Sequence, residues 1–450
     1  MVGKCLEELS LFPSASRLLE QAVAMAEALG DESLLAEQLD GLGYFYRITA
    51  NYPAALPVMK KSLSIRQRSH LREDAKVAKS MNALAMLYRQ TAKFEAARPL
   101  YEQALRLREQ LFPHGHADVG ESLNSLGCLH HDQGKYAQAV AFFEQAIRMR
   151  ERALGSRHPD VAMSYGNLAR VYVDMAKYAE AEPCYQYALE IEKLAFGELH
   201  VDVARTLTSY AELKMEQAQY EAAKKLFEEA LDIQTQLFGT ESNHPDIAVT
   251  LNALAVLHVR RDCFAEARPL YERALQLREA SVGREHPEYA QSLANLGSVE
   301  VELHCFDRAE NLFLSALQIV VSVVGVYNLQ TAQVLNHLAN LYQRQGRHLS
   351  IIEPLYQKSL EILRHCLGNV HPDIALLYND YAALLATHHQ NQRAEELFMS
   401  SLETYQAVFG SASKHPEIAQ VCNSLAVYFA NIRNDSISAT KFQLLAKQYS

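Results

Sequence analysis

Apolar residues along the chain fall into paired helical faces. In the stretch from Pro159 to Asp174, Tyr165, Leu168, Ala169 and Tyr172 stand at i, i+3, i+4 and i+7. That spacing marks one face of an α-helix. A polar break follows from Asp174 to Lys177. Ala181, Tyr185 and Ala188 then line a second face, and Gly197 follows it. Glycine ends helices because it takes the left-handed backbone at no steric cost. The stretch is predicted to form two helices joined by a short turn.

The same pattern recurs along the chain. His158-Pro159-Asp160 returns as His244-Pro245-Asp246 and His371-Pro372-Asp373. Looser copies start at His116, His200, His286 and His415, and Asn328 holds the slot where one copy has decayed. From His116 onward the steps are 42, 42, 44, 42, 42, 43 and 44 residues. A period this regular marks a repeat architecture, in which each unit buries its apolar face against its neighbours. The fold class expected is all-α: a right-handed superhelical solenoid of antiparallel helix pairs. Running the register backwards puts Met1 inside a first helix. The expected division is a partial repeat over 1–30, about eight full repeats over 31–414, and a degenerate repeat or cap over 415–450. The N-terminus is then expected to continue a longer protein. The last helix is predicted at about Ser436 to Tyr449, with Lys441, Gln443, Lys447 and Gln448 outward.

Composition agrees with repeats. A chain of 450 residues exceeds one compact core, because single cores stop growing near ~250–300 residues. Gly and Pro together number 31, well under the average usage of roughly 12%. Few breakers leave little room for many short strands. The net charge of −10 excludes a general nucleic-acid binder. Between Leu111 and Ser242 there are 12 Lys+Arg against 20 Asp+Glu, so the middle of the chain is the acidic part. Seven cysteines without a C-x-x-C pair read as reduced thiols, which suits the cytoplasm. No apolar run reaches the ~18 residues of a membrane span.

Four marks recur in at least six units: a large residue, Leu-Gly or Leu-Ala, a tyrosine, and Ala…Phe/Tyr…Ala in the second helix. Examples are Leu126-Gly127 with Ala139, Phe143 and Ala146, and Leu254-Ala255 with Ala267, Tyr271 and Ala274. They match the tetratricopeptide repeat pattern. The period of 42 and the strings Glu266-Ala267-Arg268-Pro269-Leu270-Tyr271 and Leu251-Asn252-Ala253-Leu254-Ala255 resemble the repeats of kinesin light chains and nephrocystin-3. The resemblance implies a non-catalytic protein-interaction scaffold that binds an extended peptide segment. Two narrower alternatives stay open: the partner-binding arm of a larger NTPase-containing protein like nephrocystin-3, and a motor cargo adaptor like kinesin light chain. Cytoskeletal or ciliary assemblies, and localisation there, go with these alternatives.

Chemical motifs are missing. There is no G-x-S-x-G, phosphate loop or H-E-x-x-H, so no enzyme, cofactor or metal is expected. The loop histidines recur one per repeat, too far apart for one metal shell, and are read as helix caps. Pro99, Pro183, Pro269 and Pro354 are read as first-turn prolines marking the start of the second helix. One polar series remains. Asn82, Asn124, Asn252, Asn336, Asn379 and Asn423 occupy the same mid-helix slot, with Asn167 and Asn295 one position later in two other units. Asn is a poor mid-helix residue, yet its amide matches a peptide backbone unit. With Arg170 and Asn340, two of the variable neighbours, these asparagines form the expected peptide groove. Arg89, Arg170 and Arg344 are scattered there among Glu212, Glu216 and Glu302. No basic face for acidic cargo is apparent.

Overall fold

A computed structural model describes residues 12–68, 74–239, 242–411 and 413–449. Among these residues all regular structure is helical. A single helix, Phe12–Leu29, precedes ten antiparallel helix pairs. We number these repeats 1 to 10: 32–68, 74–111, 117–154, 159–196, 201–238, 245–282, 287–324, 329–367, 372–409 and 416–449. Nine of them lie between 31 and 414, where the sequence suggests about eight. The loop pattern starts at His116 of repeat 3 and so leaves out repeats 1 and 2. Repeat 1 opens on Asp31, whose carboxylate accepts from Leu34 N–H at 3.0 Å, in place of a histidine. The last helix runs Ser436–Tyr449 with Lys441, Gln443, Lys447 and Gln448 exposed, as expected.

Each histidine loop is a helix cap. His158 Nδ1 accepts from Asp160 N–H at 3.1 Å, and His116, His200, His244, His286, His371 and His415 make the same bond. Asn328 substitutes with its Oδ1 on Gln330 N–H at 2.9 Å. The bond satisfies an amide that has no partner inside the helix. Rings extend the cap: Phe112, Phe196, Phe238 and Phe409 stack on His116, His200, His244 and His415 at 3.6–4.2 Å between centroids.

The turn between the two helices of a repeat uses one left-handed residue. Ala92, Ala176, Ala218, Asp262 and His304 take it with φ of 54 to 60°. Gly134 and Gly346 are the glycines in this slot, with φ of 67 and 68°. The prolines correct the sequence reading. Helices start at Phe94, Tyr178, Phe264 and Leu349, so Pro99, Pro183, Pro269 and Pro354 lie in the second turn. Each removes a hydrogen bond to the carbonyl four residues earlier. Those residues, Glu95, Ala179, Ala265 and Ser350, are exposed. An exposed position leaves the freed carbonyl open to solvent, which makes the proline tolerable.

Within a repeat, the small residue and the aromatic lock the two helices. A methyl on Gly127 would fall 2.7 Å from Phe143 Cε1, and one on Gly297 2.7 Å from Phe313 Cε1. Both phenylalanines are buried. First helices of successive repeats also touch each other, so they form the inner wall of the coil.

The coil closes on itself. His286, opening repeat 7, lies with Nε2 3.3 Å from the Ile48 carbonyl of repeat 1. Leu329 of repeat 8 packs into the cluster built around Ala85, Phe94 and Tyr101 of repeat 2. His371 of repeat 9 sits against Gly134 of repeat 3, and Tyr136 stacks on Phe409 at 5.8 Å. His415 of repeat 10 has Nε2 3.1 Å from the Asp174 carbonyl of repeat 4. The offset is always six repeats. One superhelical turn is therefore six repeats, and repeats 7–10 lie directly on repeats 1–4.

Candidate peptide-binding groove

The asparagine series runs along the inner helices, but its members differ in access. Asn82 and Asn379 are buried, and Asn82 has neither amide atom partnered. Asn124, Asn167, Asn252, Asn295, Asn336 and Asn340 are half-buried, and Asn423 and Arg170 are exposed. Some amides are spent inside the protein. Asn167 Nδ2 donates to Asn124 Oδ1 at 3.1 Å, across one repeat. Asn295 Oδ1 accepts from Gln291 at 3.0 Å, and Asn340 Oδ1 from the Tyr356 hydroxyl at 2.5 Å. The Oδ1 atoms of Asn252, Asn336 and Asn379 have no partner. A buried amide atom without a hydrogen bond is costly, so these positions hold unspent bonding capacity.

The groove charges turn out to be ordered. At the inner-helix ends, Arg89 pairs with Asp132 of the next repeat at 2.9 Å. Arg260 pairs with Glu216 at 2.9 Å, and Arg344 with Glu302 at 2.6 Å. His131 Nε2 meets Asp174 at 2.5 Å, while its neighbour His130 stacks on Phe142 instead. These pairs tie successive repeats together edge to edge. A single linear pass cannot see them, although a tabulation at 42–44 residues would. Arg170 and Glu212 stand outside this ladder: neither makes an ion pair among the described residues. Burial, with Asp174 and Glu216 nearby, raises the Glu212 carboxyl above its ordinary value, against the pull of Arg170.

Arg170 sits where two cavities meet. One, of about 460 Å³, lies between repeats 4 and 5; the other, of about 260 Å³, reaches repeat 6. Arg170, Tyr185 and Ser209 line both. Here the asparagine slot is filled by Gly166 and Thr208. A methyl on Gly166 would meet nothing within 4 Å. The open part of the inner wall is thus where the asparagine row is interrupted, which the sequence reading did not foresee.

Among the described residues no His, Cys, Asp and Glu group of three or more could hold a metal ion. The six described cysteines, among them Cys128 and Cys422, are unpaired; Cys5 lies outside the described residues. No described helix is long and apolar enough to cross a membrane.

No curated protein matches the chain. Solved structures do. A Rap protein complexed with competence and sporulation factor is similar at a TM-score of 0.56 and 12% identity, covering 83% of this chain and 98% of that one. The Rap conjugation gene regulator of plasmid pLS20, in complex with the Phr* peptide, gives 0.53 and 10%, covering 83% and 95%. Repeats from Podosopora anserina assigned to a kinesin light chain are 22% identical over 46% of this chain and 97% of theirs, with a TM-score of 0.37. The first two establish a shared helical-solenoid fold. The family model for the tetratricopeptide repeat matches residues 34–110, 118–193, 160–236, 202–262, 246–320, 294–355 and 330–407, nearly the whole array. The capped hairpins, the small-residue locks and this match agree: the chain belongs to the tetratricopeptide repeat family.

Proposed function

We propose that the protein is a non-catalytic scaffold, a single array that holds an extended peptide segment of a protein partner against its inner wall. The observation that carries the reading is the pair of adjoining cavities on repeats 4 to 6, joined at Arg170, Tyr185 and Ser209. The unpartnered amide oxygens of Asn252 and Asn336 continue the wall toward the later repeats. Amide side chains recognise a peptide backbone because each offers a donor and an acceptor. Two structures of similar fold were solved with competence and sporulation factor and with the Phr* peptide. Because Arg89, Arg260 and Arg344 are committed to carboxylates, the wall does not offer the basic face that an acidic cargo segment needs. Unpaired cysteines suit a cytoplasmic setting.

Degenerate fluorescein-labelled nonapeptide pools, read by anisotropy, test the reading. Combined Asn252→Ala and Asn336→Ala substitutions should weaken binding about tenfold, the ~1.4 kcal/mol of lost hydrogen bonds. Unchanged affinity with unchanged helicity would leave these asparagines structural.

A further inference from the structure

One buried slot recurs with a conserved geometry and then changes sign. At the fifteenth residue of the second helix, repeats 2, 3 and 5 carry Arg108, Arg150 and Gln234. Arg108 donates to the Asp118 carbonyl at 2.7 Å and to Ser122 Oγ at 2.8 Å. Arg150 does the same to Asp160 and Ser164, and Gln234 to Asp246 and Thr250. Each head group thus staples its repeat to the next first helix. In repeat 4 the slot holds Glu192. Its Oε1 accepts from Thr206 Oγ1 at 3.0 Å, the threonine that matches Ser122 and Ser164. Its Oε2 is buried with no partner, and the residue is 5% exposed. An ionised carboxylate cannot donate to the Asp202 carbonyl, so the carbonyl half of the staple is missing here.

The missing half of the staple leaves room and negative charge. Glu192, Asp160, Asp202 and Gly166 line the cavity of about 460 Å³. Its other cation, Arg205, is committed to Asp202 at 3.1 Å and Asp246 at 2.8 Å. A buried carboxylate needs a hydrogen-bonding cation to offset its desolvation. We propose that this cavity is a socket for the side-chain cation of a lysine or arginine in a bound peptide, which takes the place that Arg108 and Arg150 fill in their own repeats. The inference rests on the groove reading and deepens it: the ligand is a basic peptide. Arg170 at the mouth leaves the socket floor to Glu192 and meets the peptide's carbonyl oxygens.

The pH dependence follows from the same groups. Burial, with Asp202 adding and Thr206 opposing, pushes the Glu192 carboxyl up to about 7. Asp160, Asp202, Arg170, Arg205 and Tyr185 face the cavity with it. A cation prefers the ionised form, so affinity for a basic peptide rises from pH 6 to 8.

The test uses the full chain and four fluorescein-labelled nonapeptide pools. All are degenerate except for one central residue, fixed as Lys, Arg, norleucine or Glu. The Lys and Arg pools should bind at least tenfold tighter than the other two at pH 7.5. Glu192→Arg places the donor of repeats 2 and 3 in the slot. It should raise the unfolding midpoint and erase the preference, so loss of binding cannot be laid to loss of fold. Glu192→Gln should weaken the Lys pool at least fivefold. Equal binding of the four pools, or a preference that survives Glu192→Arg, overturns the socket and leaves the groove reading intact. Binding of no pool overturns both.

Discussion

Two sets of loop histidines share one local structure and differ in everything beyond it. His116, His158, His200 and His244 cap their helices with side chains 24–47% exposed. His286, His371 and His415 make the same cap yet are buried, at 8%, 7% and 4%. The difference is the superhelical turn. The first set opens repeats 3 to 6, which rest on none of repeats 1 to 10 across the turn. The second set opens repeats 7, 9 and 10, which rest on repeats 1, 3 and 4. In His286 and His415 both ring nitrogens are then used: Nδ1 accepts from the cap amide, and Nε2 meets a carbonyl of the earlier turn. That arrangement suits the neutral ring protonated at Nε2. A motif thus acquires a second role from its place in the coil.

Removing the two sets separately gives the largest expected effect. His116→Ala with His158→Ala and His200→Ala should cost about 1 kcal/mol each, the loss of a cap. His286→Ala with His371→Ala and His415→Ala should cost about 2–3 kcal/mol each, because a buried polar contact and its packing go too. Denaturant titration measures both. The second variant should also raise the radius of gyration in small-angle scattering as the turns part, whereas the first should leave it unchanged. Equal costs and equal radii would mean that the contact between turns contributes nothing to stability.

Acid sharpens the same contrast at smaller scale. Burial is the main cause holding His286, His371 and His415 below the ordinary imidazole value, with Glu288, Asp373 and Asp174 pulling the other way. A lowered histidine favours the neutral folded state. Its contribution is complete above the unfolded value of about 6.5 and is lost as pH falls below it. Wild type should therefore lose up to about 1 kcal/mol per histidine per pH unit below 6.5 relative to the triple seam variant. The comparison cancels the other groups at the seam. Glu417, held up at about 7 by burial and Asp373, is common to both proteins, as are His131, Asp132 and Arg278. Parallel stability curves from pH 7.5 to 5.5 would contradict a neutral seam.

Helix pairing, period and caps were legible in sequence because they are local. Four marks per 42 residues suffice to place two helices and their contact. What escaped was set by sums over many repeats. The six-repeat turn depends on a small rotation per repeat that no residue encodes alone, so the burial of His371 could not be told from the exposure of His158. The charge ladder escaped for a simpler reason: Arg89 and Asp132 are partners only when read 43 residues apart. The asparagine row was visible, but not that Asn82 would be sealed between helices while Gly166 opens the wall. Glu192 was legible in principle, as the acid in a column of Arg108, Arg150 and Gln234. It carries meaning only once those side chains are seen to donate.

The finest test of the seam uses two glycines in the same turn slot. Gly134 and Gly346 have φ of 67 and 68°. Alanine fills this slot in repeats 1, 2, 4 and 5 at φ of 54–57°, so the backbone accepts a methyl at a cost of about 1 kcal/mol. The two sites differ only in what lies outside. A methyl on Gly346 would meet nothing within 4 Å; one on Gly134 would fall 3.0 Å from His371 Cδ2 and 3.2 Å from Pro372 Cδ. Gly346→Ala should therefore show the backbone cost alone. Gly134→Ala should show that cost plus about 1 kcal/mol of crowding across the turns. In a His371→Ala background the excess should fall by about half, since the ring is the nearest obstacle and Pro372 Cδ remains beside it. That double-mutant cycle reads one contact between repeats 3 and 9, some 240 residues apart in sequence. An excess wholly unchanged without the ring would mean that His371 does not press on Gly134 and would separate the ring from the repeat 3 turn.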